Sequence, residues 1–479
     1  MSTDGNGFAQ LGPVLPESLT YGIRFMNPLT SRTCRSRAFV SVLVLVWTAS
    51  SASAQNYSFD ARRIALGGVG GTPNLASKLV EQQRRYKSIV IPLGLVKVLT
   101  NLRVFYPNRE DFDFSRAVEF AYSPFHQVFG RGEDITGRTF FRDIIHAQLE
   151  PDLNAYRGFD IDPSVTAEGL ILENWGKTFM VRKDERSFQG IYVGAGPYLA
   201  ARAYGEFDTE LVDLVNSPVD MYLPAASLGI GGGETDQLAL AITGGYRARF
   251  PYFSQEATGA GRNGMYVAAN FHYLQGFRLD EFNANVHFET DAFGLVSPNP
   301  PTAPFALDWY TSSHGRGMAI DAGVAFVVNR WDFGAGVGGI ANRITWTQIR
   351  PHHLTLVSLF GGTEFVHVKL PVTSEERRYE LPVTYTGDVA YHREQWSVLS
   401  EYSHGFMGDQ IRAGLEYRLG SIELRGAGRY SDGQVFPSAG AGFNLTRNFG
   451  VDAAVFGTQT FLEQSPHVGM AISFRFDKR

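Results

Sequence analysis

The chain has 479 residues, of which 44% are hydrophobic and 13% aromatic, and it carries 43 basic and 48 acidic side chains for a formal charge of −5. This slightly acidic balance gives no reason to propose nucleic acid as a partner. The mean hydropathy of −0.12 is too low for a bundle of membrane helices, and no apolar run reaches the roughly 18 residues that one such helix needs.

Residues 1–54 are predicted to be a secretory signal region. Translation is expected to begin at Met26 and cleavage to follow Ala54. The pattern consists of three arginines, a short apolar core and a small-residue cleavage site: Arg32, Arg35 and Arg37, residues 38–47, and Ala52-Ser53-Ala54. The only cysteine, Cys34, lies in this region, so disulfides and thiol catalysis are excluded for the mature chain.

Residues 55–162 are predicted to form a separate N-terminal plug, or hatch. Their pattern is too irregular for barrel strands, and the segment could fill the lumen of a barrel or lie beneath it in the periplasm; we expect it to fill the lumen. Asn74 is expected to cap a helix over residues 75–86, and Asp113 to cap another over residues 114–122.

The clearest strand pattern lies near the C-terminus. Residues 411–419 and 422–430 alternate between apolar and polar side chains, with Gly420-Ser421 between them. Period two indicates strands, and a two-residue link that contains glycine indicates a hairpin. Pairing Leu419 with Ile422 makes one face apolar and the other an ion ladder, with Glu416 opposite Arg425 and Arg418 opposite Glu423.

The same alternation over residues 163–479 predicts an all-β fold. We expect a transmembrane antiparallel up-and-down β-barrel of about 14 strands, within about 12 to 16, with a partly helical N-terminal plug. Tight turns at one end and longer connections at the other are typical of outer-membrane barrels. The longest insertions are expected to be outer loops: residues 206–235, 291–315 and 371–380.

The last strand alternates up to a final aromatic residue, through Val468, Met470, Ile472, Phe474 and Phe476. This resembles the terminal strand that outer-membrane assembly machinery reads, although Asp477-Lys478-Arg479 follow the aromatic residue. We therefore expect the chain to lie in the outer membrane of a Gram-negative-type bacterium, with the lipid bilayer and that assembly machinery as partners.

Short motifs resemble the FadL-like barrel superfamily, which includes long-chain fatty-acid transporters and TraF- and PorV-like proteins. They are the Ala-Arg opening at residues 61–68 and the glycine-rich late strands at residues 412–419, 425–430 and 438–443. The Asn-Pro-Ala element of the fatty-acid transporters is absent. The resemblance covers the opening and roughly the last 70 residues, and it implies a barrel of about 14 strands whose N-terminal segment occupies the lumen.

The charged face of the late strands is the first candidate site. If the apolar face meets lipid, the charged residues point into the lumen: Arg412, Glu416, Arg418, Glu423, Arg425 and Arg429. Either they satisfy one another and the plug, or they form a polar pathway or a docking surface for the plug. A solvated pair such as Glu416 and Arg425 would contribute about 0–1 kcal/mol.

Gly196-Pro197 is the second candidate site, because it interrupts a predicted strand over residues 187–203. Proline cannot donate a hydrogen bond to a neighbouring strand. The pair either marks a strand end or bulge near the rim, or kinks the strand so that the barrel wall opens sideways.

Passive, porin-like uptake of a small hydrophobic molecule by a monomer is the predicted function. The alternative is a structural or assembly barrel that serves a partner protein, and a surface enzyme is a third possibility. No cofactor is expected, and no nucleotide-binding, metalloprotease or serine-hydrolase motif is present.

Overall fold

The computed structural model describes residues 60–69, 74–82, 86–91, 93, 127–129, 149–158, 161–172, 175–184, 187–251, 262–297, 305–356, 365–406, 408–431, 433–446, 448–458 and 467–477. The predicted signal region and the helix expected after Asp113 lie outside these residues. Within them, no helix is long and apolar enough to cross a membrane.

The helices within the described residues are short: α1 (Ala61–Ala65), α2 (Leu75–Gln82), a 3₁₀ helix (Leu153–Tyr156) and α3 (Thr209–Asn216). The strands are β1 (Tyr86–Ile91), β2 (Gln127–Phe129), β3 (Ser164–Leu172), β4 (Trp175–Lys183), β5 (Phe188–Phe207), β6 (Ser227–Phe250), β7 (Gly264–Glu289), β8 (Phe305–Ser312), β9 (His314–Val328), β10 (Trp331–Thr347), β11 (Arg350–Leu356), β12 (Phe365–Lys369), β13 (Arg377–Glu380), β14 (Thr384–His392), β15 (Trp396–Gly405), β16 (Gly408–Leu419), β17 (Ile422–Ser431), β18 (Gln434–Thr446), β19 (Phe449–Thr458) and β20 (His467–Asp477).

The wall of the barrel is a continuous series of antiparallel pairs. It runs β5–β6–β7–β9–β10–β14–β15–β16–β17–β18–β19–β20. β3 and β4 pair with successive halves of β5, and β1 and β2 pair with successive parts of β20. β3 and β4 therefore share one position in the wall, and β1 and β2 share another. Sixteen of the 20 described strands therefore fill 14 positions in the wall, because two positions are each shared by two strands. The other four, β8, β11, β12 and β13, lie in extensions of the wall.

The late hairpin has the register expected from its pattern. Leu419 pairs with Ile422 and Glu416 with Arg425, across a turn in which Gly420 has a φ of 62°, a conformation that favours glycine. Leu415 is 47% exposed on the outer face, whereas Glu416 is 2% exposed on the inner face. Apolar side chains outside and charged ones inside are the arrangement of a barrel that lies in lipid.

Two expectations about the chain's organisation need correction. The N-terminal segment is not free of wall strands, because Tyr86–Ile91 and Gln127–Phe129 pair with β20. The expected outer loops are also partly strands: β5 and β6 extend into residues 206–235, and β8 and β13 lie in the other two insertions. The sequence pattern missed β1, β2 and β13 because six, three and four residues are too few to establish an alternation.

A small apolar core lies outside the wall at the long-loop end. α3 packs there against the 3₁₀ helix and the ends of β6 and β7, and the core includes Leu153, Tyr156, Leu211 and Phe288. This end is opposite to the one with the tight turns, because the core includes Phe288 at one end of β7, whereas Gly264 at the other end pairs with Val327, beside the turn at residues 329–330. We call α3, the 3₁₀ helix and the ends of β6 and β7 the extension. It lies at the extracellular end of the barrel if tight turns face the periplasm, as they usually do.

Candidate functional site

The helix α1 lies against the inner face of the late strands. Asp60 caps it by accepting from the Arg62 backbone N–H (3.2 Å), and the same carboxylate oxygen accepts from the Ser473 hydroxyl (2.9 Å). The Arg62 guanidinium donates to both Glu416 oxygens, through Nε (2.9 Å) and Nη2 (3.1 Å). Such a bidentate pair fixes direction as well as distance, so it holds the helix in one orientation.

Glycines in β16 and β18 make room for α1. A Cβ at Gly440 would lie 2.5 Å from the Ala65 Cβ, and one at Gly414 would lie 2.9 Å from the Leu66 carbonyl oxygen. Neither approach is possible for a residue with a side chain unless the helix moves. The glycine-rich late strands are thus explained by the helix that packs on them.

The predicted charged residues fall into one cluster and two outliers. Glu416, Arg418, Glu423 and Arg425 form a single network, in which Arg425 donates to Glu416 (Nε, 2.9 Å), to Asp452 (Nη1, 2.6 Å) and to Glu423. Arg412 instead pairs with Glu401 and Gln410, and Arg429 lies over the Phe436 ring, 4.9 Å from its centroid.

Sequence reasoning missed two arginines of this network. Arg62 belongs to the opening motif, but no local pattern indicates a partner 354 residues away. Arg475 donates to Glu423 (2.5 Å) and Asn444 (2.5 Å), and its position between Phe474 and Phe476 in an alternating strand could have identified it as lumen-facing. Apart from Arg418, whose side chain is 47% exposed, the network is buried and internally paired, and Arg62 links it to α1.

The helix α2 is attached to the other side of the barrel. Asn74 caps it as expected, accepting from the Ala76 (3.1 Å) and Ser77 (3.3 Å) backbone N–H groups, although the helix ends at Gln82 rather than residue 86. The Asn74 amide (2.8 Å) and the Ser77 hydroxyl (2.8 Å) both donate to Asp388 of β14. Ala76 and Val80 pack on Tyr266 of β7 in a small apolar cluster.

Above α2 the inner face is polar but closed. The His272 ring bridges the Thr243 hydroxyl (2.8 Å, at Nδ1) and the Asp321 carboxylate (2.9 Å, at Nε2). The other Asp321 oxygen accepts from the Gly339 N–H (2.8 Å), which lies in a bulged part of β10. All three side chains are buried, and each is hydrogen-bonded within this layer.

The next layer toward the extracellular end is apolar. We call it the apolar collar, and its buried members include Leu170, Leu172, Tyr198, Leu274, Trp346 and Phe406. The two polar atoms of its large aromatic residues are satisfied: the Tyr198 hydroxyl donates to Asn342 (3.1 Å) and the Trp346 Nε1–H to Gln237 (3.0 Å). The collar therefore forms a hydrocarbon layer on the inner face. Its member Ala239 lies four residues along β6 from Thr243.

Gly196 and Pro197 lie inside β5, directly beside the collar. Pro197 pairs with Leu240 of β6 without a register shift, so it is neither at a strand end nor in a loop. On the other side, β3 pairs up to Tyr198 and β4 resumes at Ala195, and the facing residues 173–174 lie outside the described part of the chain. Gly196 is buried on the inner face, and Tyr198 follows it into the collar.

The described residues include no group of three side chains suited to a metal ion. His352 and His353, the only adjacent histidines, point to different partners: His352 stacks on Trp309, whereas His353 Nδ1 lies 2.6 Å from an Asp308 oxygen.

Comparisons with solved structures return outer-membrane barrels of the kind that the sequence motifs resemble. The toluene transporter TbuX of Ralstonia pickettii is 12% identical over 70% of this chain and 99% of its own, with a TM-score of 0.31. The toluene transporter TodX of Pseudomonas putida is 10% identical over 66% and 87%, with a TM-score of 0.29. A Pseudomonas aeruginosa FadL homologue is 11% identical over 66% and 89%, with a TM-score of 0.32.

This chain is an outer-membrane β-barrel. The assignment rests on its own strand pairings and on the apolar outer face, because TM-scores of 0.29 to 0.32 are too low to carry an argument. No family model and no curated protein matches the sequence. The lipid bilayer is the partner of the outer face, along which Leu415, Leu424, Ile242 and Val193 are exposed.

Proposed function

We propose that this barrel is a passive, non-enzymatic channel for small hydrophobic molecules. The observation that carries the proposal is the apolar collar, a buried hydrocarbon layer on the inner face of the barrel. A lumen that carried only ions or water would have no use for such a layer, because hydrophobic lining binds apolar molecules and excludes polar ones. We further propose that it acts as a monomer and is inserted through the last strand, which ends at Phe476.

The order of the layers supports a sideways exit. Below the collar, the lumen holds the Thr243–His272–Asp321 network, and below that the charged network and the N-terminal helices. An apolar molecule that moved toward the periplasm would have to displace these satisfied polar groups, each of which costs free energy to leave unpaired. Gly196 and Pro197 lie in the wall at the height of the collar, where the proline offers no N–H to either neighbouring strand.

Uptake by proteoliposomes or by cells that express the protein tests this function. Pro197→Ala restores a backbone N–H, so we expect slower uptake of apolar solutes while the barrel remains folded. Pro437→Ala is the matched control, because Pro437 also lies within a strand, β18, pairs with Gly428 and is exposed on the outside. Equal uptake by both variants and the wild type would exclude the exit beside Pro197.

The alternative, service to a partner protein, is favoured by one feature of the chain that follows β7. Phe293 is 78% exposed, on a turn in which Asp291 accepts from the Phe293 (2.8 Å) and Leu295 (3.0 Å) N–H groups. Tyr222 and Val219 are exposed nearby. Ordered aromatic residues are common anchors at protein interfaces. Under this alternative, Phe293→Ala should weaken partner binding, whereas under the uptake proposal it should leave solute transport unchanged.

A further inference from the structure

One row of paired residues crosses the inner wall through the apolar collar. Tyr198 of β5 pairs with Ala239 of β6, Ala239 with Gly276 of β7, Gly276 with Gly315 of β9, and Gly315 with Trp346 of β10. The two large aromatic residues thus lie at the ends of the row, and the three residues between them are small. We call the space over Ala239, Gly276 and Gly315 the glycine slot.

The Trp346 indole fills the glycine slot. A Cβ at Gly276 would lie 2.6 Å from the indole Cη2 and 2.8 Å from the Gly315 Cα, and a Cβ at Gly315 would lie 2.7 Å from the indole Cε3. Real Cβ atoms do not approach so closely, so the ring lies flat on bare backbone. The indole Nε1–H, which is the side chain's single hydrogen-bond donor, reaches beyond the slot and donates to Gln237.

The large side chains of the collar are covered in this arrangement. Tyr198, Leu274 and Trp346 are at most 1% exposed, so a solute can contact them only after one of the covering side chains moves. Tyr198 is tied to Asn342 in the bulged part of β10. Trp346, in contrast, is the penultimate residue of β10, and its removal from the slot would leave a flat space with a rigid floor.

We propose that Trp346 is the gate of the collar and determines which solutes pass. The proposal rests on the uptake function proposed above and adds the residue that controls it. The indole leaves the glycine slot when its hydrogen bond to Gln237 breaks, and the incoming solute takes its place. Because the slot is shaped for a ring lying on backbone, it admits flat apolar molecules more easily than thick ones of equal size.

Two solutes with ten carbons each, flat naphthalene and puckered decalin, separate shape from hydrophobicity. We expect the wild type to take up naphthalene faster than decalin. Gln237→Leu removes only the indole's hydrogen bond and should raise naphthalene uptake about fivefold, the factor that corresponds to roughly 1 kcal/mol. Trp346→Ala should raise it at least as much, and Gly315→Ala added to Trp346→Ala should return it toward the wild-type rate by refilling the slot.

Control measurements keep the possible outcomes distinct. Heat-modifiable migration on gels verifies that each variant is folded. If Trp346→Ala fails to fold, the uptake rates of Gln237→Leu and Trp346→Phe test whether Trp346 is the gate. Wild-type protein that takes up neither solute would overturn the uptake function itself. Uptake of naphthalene by the wild type, with unchanged rates in folded Gln237→Leu and Trp346 variants, would overturn the gate and leave the uptake function standing. Equal wild-type rates for naphthalene and decalin would refute the shape selection.

Discussion

Replacing Glu416 with glutamine should release the helix α1 from the wall. The Glu416 carboxylate is 2% exposed and accepts four hydrogen bonds from three arginines: two from Arg62 (2.9 and 3.1 Å), one from Arg425 (2.9 Å) and one from Arg418 (3.1 Å). Glutamine has the same shape, but it keeps one acceptor oxygen and turns an NH₂ group toward guanidinium N–H groups. The variant therefore tests the charge with little change in packing.

The expected magnitude follows from burial. Breaking one partner of a buried ion pair costs about 3–5 kcal/mol, far more than the 0–1 kcal/mol that suits a solvated pair. The solvated pair expected from the sequence pattern is thus wrong for Glu416, because this side chain is 2% exposed and pairs with Arg62 of α1. Since α1 has only five residues and cannot persist as an isolated helix, a loss of this size should raise its open population roughly 150- to 4,000-fold.

Hydrogen exchange of residues 60–69 in detergent measures that population. We expect the amides of Ile64, Gly67 and Gly68, which donate to α1 carbonyls or to Asp60, to lose protection in Glu416→Gln. Glu394→Gln, in an exposed turn between β14 and β15, is the control and should change nothing there. Arg62→Gln added to Glu416→Gln should cause little further loss. Full protection of α1 in Glu416→Gln would refute the role of the charge.

Three more predictions follow. Leu415→Arg should reduce barrel stability by about 2–4 kcal/mol and Leu419→Arg, at the hairpin end, by about 0–1 kcal/mol; equal losses in unfolding titrations would contradict the assigned depth. Asp236 lies beyond the lipid-facing part of β6. Burial, reinforced by the Glu234 carboxylate, raises the pKa of Asp236 from 3.8 to about 7. Its protonation therefore favours the folded state of this part of β6 below about pH 4, and the gain in stability disappears as the pH rises through 7. Hydrogen exchange in the outer half of β6 should therefore be better protected at pH 5 than at pH 8, after correction for intrinsic rates, and Asp236→Asn should remove that difference. Truncation before Phe474 should abolish the heat-modifiable band, because it removes the residues of β20 that pair with β1 and β19.

The late strands could be predicted because lipid imposes a strict pattern on them. Each must place apolar residues outside at every second position, and the charges between them then define the register. The register of the hairpin at Gly420 follows from this pattern, including the pairing of Glu416 with Arg425. The cap at Asn74 was equally accessible, because a capping side chain acts within its own first turn.

The longer-range features could not be read from local pattern. β6 and β7 have 24 and 26 residues, and their outer halves do not face lipid on one side and lumen on the other. The run Gly231–Gly233 therefore lies inside β6 although glycines usually suggest a turn. Likewise, the pairing of Arg62 with Glu416 depends on the fold alone, since nothing near either residue indicates the other. Gly276 and Gly315 acquire meaning only beside Trp346.

The layered lumen gives a physical reason to prefer lateral over axial passage. An axial path from the apolar collar to the periplasm must open the His272–Asp321 layer and then separate buried ion pairs, at about 3–5 kcal/mol for each pair that loses a partner. A lateral path beside Pro197 needs no ion pair to break, and the proline has already removed one backbone donor from the wall. The difference in free energy between the axial and the lateral path exceeds the roughly 1 kcal/mol that the hydrogen bond between Trp346 and Gln237 contributes at the gate. Both paths begin in the collar, so if the barrel passes apolar solutes as proposed, the charged network should favour the lateral path by opposing the axial one.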